Sequence, residues 1–222
     1  MKILAFNGSP KMDKGNTALI LNPFIQGIRE AGADVDLFYT NLLDIRPCRG
    51  ELSCWQQNPR KCFQDDDMQQ IYAKSDADML VFASPVYVWG MSGPLKNLLD
   101  RTINVMPIQA RRVVLVSSCG FWGMDNFEPL LAQMKMMCRY TGWEFAGALL
   151  RPHAAALKMM LEMGKPVADI AEAATLAGIQ LVKDGGFSRE TLDIVSRELV
   201  PLDVWEQRIK STFLQKNVIL QT

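Results

Sequence analysis

Ile3-Leu4-Ala5-Phe6-Asn7, running into Gly8-Ser9-Pro10-Lys11-Met12-Asp13-Lys14-Gly15-Asn16-Thr17, is the stretch whose reading decides the fold. The apolar run at residues 3–7 reads as a buried strand. A helical pattern then covers residues 16–31 and stops at Gly32. A strand passing through a polar turn into a helix is the first half of a βαβ unit. In an open α/β sheet, ligands sit outside the carboxyl ends of the strands. A helix N-terminus also leaves free N–H groups directed at the loop before it. Ser9, Asn16 and Thr17 add short polar side chains there, and Lys11 and Lys14 add charge. Such a nest suits a phosphomonoester. The loop is not a nucleotide-hydrolysing P-loop, because no Gly-Lys-Ser/Thr follows the spacer, and it lacks Gly-x-Gly-x-x-Gly. An ordinary βα turn is the competing reading, since Gly, Ser and Asn are common turn residues.

Outward from this unit the alternation continues. Residues 35–39, 79–84, 113–117 and 145–150 read as four further strands. Runs as apolar as Met79-Leu80-Val81-Phe82-Ala83-Ser84 and Val113-Val114-Leu115-Val116-Ser117 are expected where helices cover both faces of a parallel sheet. Pro94 follows Ser92-Gly93 at a first-turn position, with Leu95, Leu98, Leu99 and Ile103 as one apolar stripe. Asp66 and Gln69 have the spacing of a capping box before Ile71 and Tyr72. Together these predict a doubly wound α/β sheet. After Pro152 the strand signal ends. Residues 166–183 form an Ala-rich helical pattern stopped by Gly185-Gly186. Ser188 is placed to cap a helix through Leu199, and Pro201 to open a last one carrying Leu202, Trp205, Ile209 and Phe213. The expected organisation is a sheet domain at 1–152 with a helical extension, 153–222, packed on the same domain.

Two more loops fall at the same edge of the sheet. The third strand runs into Pro85-Val86-Tyr87-Val88-Trp89-Gly90-Met91-Ser92-Gly93, whose two aromatics suit the wall of a planar ring. Plain packing over the sheet is the simpler account of that loop alone. The fourth strand runs into Ser118-Cys119-Gly120-Phe121-Trp122-Gly123, where Gly120 allows close approach of a ligand. Three suitable loops at one edge are harder to attribute to coincidence than any one of them.

Composition narrows the classes. Lys plus Arg and Asp plus Glu each number 24 in 222 residues, so the net charge is zero. A balanced chain has no general attraction for nucleic acid or anionic lipid. No apolar run is long enough to span a bilayer, and the apolar start, broken at Gly8, is too short for a secretory signal. Five cysteines without paired spacing fit a reducing, cytoplasmic setting.

The chain resembles the NAD(P)H-dependent FMN reductases and related flavodoxin-like oxidoreductases. The resemblance is carried in order by GSPKMDKGNT, PCRGELSCW, KCFQDDDMQQIY, SPVYVWGMSGPLKNLLDR and VSSCGFWGMDNF. It implies a five-stranded parallel sheet in the order 2-1-3-4-5, with FMN bound and NAD(P)H as electron donor. It implies Ser9, Lys11, Gly15, Asn16 and Thr17 at the FMN phosphate. Pro85, Val86, Tyr87 and Trp89 would lie beside the isoalloxazine, and Cys119 and Gly120 near its pyrimidine end. The implied function is transfer of electrons to a small acceptor, such as a flavin or a quinone, with a flavodoxin-like electron carrier as the alternative. No catalytic side chain stands out. A homodimer or higher homo-oligomer is expected, because the last helical pattern carries Trp205, Ile209 and Phe213 beyond what a five-strand core needs.

Cys48, Cys54 and Cys62 share one segment. The iron–sulfur flavoproteins that the chain also resembles carry four cysteines there, whereas Glu51 stands here at the second place. A cubane cluster takes four thiolates, so no cluster or other metal is expected, and the cysteines read as small thiols in a loop. Cys54 and Arg60 match the Cys-x5-Arg spacing of a phosphatase loop, but Trp55 is bulky and Pro59 has no N–H to give. His153 is the only histidine and reads as structural or exposed.

Overall fold

A computed structural model describes residues 1–57, 61–102 and 111–215, and the side chains of 208–210 and 212–215 are left aside. Five strands, β1 (Lys2–Asn7), β2 (Asp34–Tyr39), β3 (Met79–Pro85), β4 (Arg112–Ser118) and β5 (Glu144–Arg151), form one sheet in the order β2-β1-β3-β4-β5. Every neighbouring pair is parallel. The order reverses between β1 and β3, which makes the carboxyl ends of those strands the switch point of the fold.

The nine helices among the described residues are α1 (Ala18–Glu30), α2 (Ser53–Gln56), α3 (Met68–Tyr72), α4 (Gly93–Thr102), α5 (Glu128–Thr141), α6 (Ala154–Glu162), α7 (Ala168–Lys183), α8 (Arg189–Ser196) and α9 (Leu202–Gln215). The apolar strands divide their side chains between two cores, as the two-residue period requires. Leu4, Phe6, Leu80, Phe82, Val113 and Leu115 meet the stripes of α4 and α5 on one face. Ile3, Ala5, Val81, Val114, Val116 and Leu149 meet α1 and α7 on the other.

On the second face α1 and α7 cross almost backbone to backbone. A Cβ on Gly27 would lie 1.9 Å from the Thr175 carbonyl oxygen, and one on Gly178 would lie 2.2 Å from that of Phe24. The helix that sequence assigns to the extension thus shares a core with the first helix of the chain. Ser188 caps α8 as expected, its Oγ accepting from the Thr191 amide at 3.2 Å, but α8 stops at Ser196 instead of reaching Leu199. The capping box at Asp66 is only half made. Asp66 Oδ1 accepts from the Met68 amide, while Gln69 Nε2 donates to the Gln64 carbonyl. Leu95, Leu98 and Leu99 are buried in α4; Ile103 lies outside the described residues. No helix among the described residues is long and apolar enough to cross a membrane.

Candidate functional site

The loop after β1 is shaped by its own hydrogen bonds. Asn7 Oδ1 accepts from the Ser9 amide at 2.9 Å, and the amides of Met12, Lys14 and Gly15 close a short 3-10 turn on the carbonyls of Ser9, Lys11 and Met12. Among the described residues the amides of Lys11, Asn16 and Thr17 have no acceptor, and the buried Asn7 Nδ2 has none either. A Cβ on Gly15 would fall 2.4 Å from Ser9 Oγ, so only glycine lets the loop close this tightly. Spare donors at the N-terminal end of a helix, with Lys11 and Lys14 exposed beside them, form a cradle for an anion.

Buried hydroxyls tie this loop to the two others. Thr17 Oγ1 and Ser118 Oγ are 2.8 Å apart. Ser92 Oγ donates to the Gly8 carbonyl at 2.6 Å, and its amide donates to Ser84 Oγ. Ser117 Oγ donates to the Ser84 carbonyl at 2.8 Å. These bonds tie the three strand ends to one another. They enclose a cleft of about 320 Å³, within the size range of cofactor sites.

Of the residues proposed from sequence, Ser9, Lys11, Gly15, Asn16, Thr17, Pro85, Val86, Tyr87, Cys119 and Gly120 all line this cleft. Trp89 does not. It sits in the turn beyond Tyr87, with Nε1 3.3 Å from Asn126 Oδ1, because Tyr87 and Gly90 pair across a tight two-residue turn. Val88 and Trp89 hold φ of 49° and 58° in that turn, a left-handed conformation that is strained for a β-branched residue. Tyr87, Val88 and Trp89 stay exposed. Gly120 has open space where a Cβ would stand. Burial pushes the Cys119 thiol above its ordinary pKa, so it is a neutral wall of the cleft.

Sequence reading missed three lining residues, Ser118, Phe121 and Ala154. Hydroxyls ending an apolar strand were the signal for Ser118. Ala154 arrives by a non-local route. His153 takes φ 35° and donates its amide to the Phe121 carbonyl, while the Ala154 amide donates to Cys119. His153 is fully buried, stacked on Trp122 with ring centroids 6.0 Å apart and beside Trp205 at 6.2 Å. Its Nε2 accepts from the Leu199 amide and from Arg151 Nη2. The buried Arg151 also donates to the carbonyls of Pro152, Val195 and Arg197. Burial first, and the Arg151 charge second, push the imidazole pKa down to about 4. This histidine is structural, joining the helical extension to the third loop.

Residues 1–144 match the family of NADPH-dependent FMN reductases. An iron–sulfur flavoprotein of Archaeoglobus fulgidus is 32% identical over 103 residues, covering 46% of this chain and 49% of that protein. The chain thus spans about half the length of the iron–sulfur relatives it matches. A Bacillus subtilis protein named as an NAD(P)H-dependent FMN-containing oxidoreductase is 27% identical over 166 residues, covering 68% of this chain and 84% of that one. Among solved structures, an FMN-dependent NADH-azoreductase from Bacillus anthracis, in complex with FMN, superposes with a TM-score of 0.60 at 14% identity. It covers 82% of this chain and 100% of that chain, and it shows a shared fold.

Proposed function

Because the chain belongs to the family of NADPH-dependent FMN reductases, we propose that it binds FMN in the cleft and passes electrons from NAD(P)H to a small acceptor such as a flavin or a quinone. The observation that carries this reading is the joining of three strand-end loops around one cleft, with an anion cradle at one end and aromatic walls at the other. The residues fit the cofactor. Ser9, Lys11, Gly15, Asn16 and Thr17 would hold its phosphate, and Pro85, Val86, Tyr87, Cys119 and Gly120 would flank its ring, with Trp89 at the rim.

Bound FMN would supply the electron-transfer chemistry. The chain's own part is positional. Unpartnered amides bind the phosphate, Lys11 and Lys14 add charge, and the hydroxyl ties keep the loops in register. Neutral Cys119 leaves the ring end free of fixed negative charge. In this reading residues 1–152 are the FMN-binding unit and 153–222 the extension on it, in a cytoplasmic protein. Addition of FMN followed by anaerobic stopped-flow mixing with NADPH is the test. Tight binding and rapid bleaching of the flavin bands are expected. Binding without reduction would make the protein an electron carrier, and absence of binding would overturn the site.

Of the three residues from which a homodimer is expected, Trp205, Ile209 and Phe213, the structure describes the side chain of Trp205 alone. Trp205 is buried against His153, and the side chains of Ile209 and Phe213 lie outside the described residues. Exposed Tyr87, Val88, Trp89, Phe121 and Met124 rim the cleft instead, an apolar patch of the kind that marks contact surfaces. We propose a dimer across that rim. Light scattering of the FMN-loaded protein at micromolar concentration should give the mass of two chains, and the mass of one would refute it.

A further inference from the structure

The long segment between β2 and α3 holds chemistry that the flavin reading does not use. Cys48, Cys54 and Cys62 line one small cleft of about 20 Å³ together with Glu51, Gln64 and Arg101, room for a molecule near the size of water. Glu51 is engaged by the Ser53 amide at 2.7 Å. Among the described residues no group of three or more Cys, His, Asp or Glu is arranged to hold a metal ion.

What stands at the cleft instead is a buried cation. The Arg101 side chain has no exposure, and it is paired with the equally buried Asp66. Its Nη2 donates to Cys62 Sγ at 3.4 Å, and its buried Nε–H has no acceptor among the described residues. The guanidinium N–H on Cys62 Sγ sets a positive group beside the atom that would attack an incoming oxygen. A spare N–H on the same group is available to an oxygen arriving at the sulfur.

We propose that Cys62 is a peroxide-reactive thiol, with Arg101 as the group that activates it and hydrogen peroxide or a small hydroperoxide as its substrate class. The Cys62 thiolate attacks one peroxide oxygen. The S–O bond forms as the O–O bond breaks, and water or alcohol leaves carrying the proton that the thiol gave up. Sulfur is oxidised by two electrons to sulfenic acid and the peroxide is reduced. A second thiol of the cleft, Cys48 or Cys54, can then displace water to form a disulfide. Cys119 and Cys138 serve as internal references, since both are buried and burial pushes the Cys138 thiol up to about 11.

The test treats the reduced full-length chain with one equivalent of hydrogen peroxide in the presence of a sulfenic-acid trap, followed by alkylation and mass mapping. Cys62 should be the first site to carry the trap or a disulfide, at least roughly tenfold faster than Cys138. Cys62→Ser should abolish that fast phase while the fold is kept, and Arg101→Lys, which keeps the charge but not the Nη2 donor on sulfur, should slow it severalfold. A fast phase that survives in Cys62→Ser, or oxidation of Cys48 or Cys54 while Cys62 stays reduced, would overturn the proposal. None of these outcomes depends on whether flavin binds.

Discussion

The loops after β1 and β2 leave neighbouring strands of one sheet, yet they are built on opposite plans. Residues 8–17 are fixed by short-range hydrogen bonds, a glycine with no room for a side chain, and the helix that follows at once. Among the described residues of the segment, 40–57 and 61–67, regular structure is limited to a four-residue helix and a brief 3-10 turn before α3. That longer segment is closed by bonds between its two ends and clamped from outside itself. Arg101, from α4, donates to the Arg46 carbonyl, the Asp66 carboxylate and Cys62. Asp67 Oδ2 in turn accepts from the Asp44 amide at 2.7 Å. A local plan closes the cradle within ten residues, whereas the long segment relies on bonds between its distant ends and on the Arg101 clamp.

The largest expected effect strikes the clamp. Arg101→Met strips the buried Asp66 carboxylate of its fully buried partner and leaves it the longer contact to Arg46 Nε and two backbone amides, a loss of up to about 3–5 kcal/mol. Burial alone would raise the Asp66 pKa, but the bonds from Arg101 and from the Arg46 and Met68 amides hold it below its usual value. Its contribution is therefore present above the unfolded carboxyl pKa and is lost as pH falls through the lower folded one. Urea unfolding at pH 7 should show the loss in Arg101→Met, and the gap from the parent should shrink in strong acid. A change below about 1 kcal/mol would show that the segment does not hang on this residue.

A second pH window belongs to His153 alone, since it is the only histidine. Its folded pKa near 4 lies below the ordinary value of 6.5. The unfolded chain takes up the proton first, so stability is full above about pH 6.5 and falls as pH drops toward 4. The fall should reach roughly 2–3 kcal/mol at pH 4. Urea midpoints between pH 7 and pH 4.5 measure it, and a His153→Asn variant should lose most of the slope. An unchanged slope would mean that the imidazole is not held neutral.

In the local loop, the expected effect falls on binding and spares the fold. Asn16→Ala with Thr17→Ala should weaken FMN binding by about 1–3 kcal/mol if charge-assisted hydrogen bonds are lost. Thr17 complicates the pair, because its hydroxyl also meets Ser118. Fluorescence titration of FMN into Ser118→Ala separates the two contributions. Equal losses in both variants would assign the effect to loop register and not to phosphate contact.

The same contrast explains what sequence could and could not reveal. The strands and the first loop were legible because period, turn chemistry and helix start all lie within a few consecutive residues, while the order of the strands came from the family resemblance. The cradle at Ser9, Gly15 and Asn16 needed no partner from afar. Ala154 was not legible, since it reaches the cleft through the left-handed backbone at His153 and a bond to Phe121. Arg101 sat unnoticed at the end of an amphipathic helix, because nothing local marks it as the partner of Asp66, 35 residues earlier. Trp89 was read as a ring wall from its place in the strand-end loop and from the family resemblance, whereas the tight turn at Val88 sets it outside the lining of the cleft.

The smallest expected effect tests whether the two loops are independent. Tyr39 ends β2, where the long segment begins, and its hydroxyl donates to Asp13 Oδ1 at 2.5 Å in the first loop. It is the one side-chain hydrogen bond described between residues 8–17 and β2. Burial, then the bond to Asp13, push the phenol up to about 12, so it remains a donor through the neutral range. Tyr39→Phe keeps the ring and removes only that donor, leaving the Asp13 carboxylate exposed to water at little cost. The expected loss is about 0.5–1.5 kcal/mol of stability. FMN affinity should change by less than about threefold if the cradle keeps its shape through the Asn7, Ser9 and Gly15 contacts alone. Parallel urea unfolding and FMN titration of this variant measure the two separately. A tenfold loss of affinity with little loss of stability would mean that the cradle borrows its shape from β2, and the distinction between a local and a remote plan would fail at the residue that joins them.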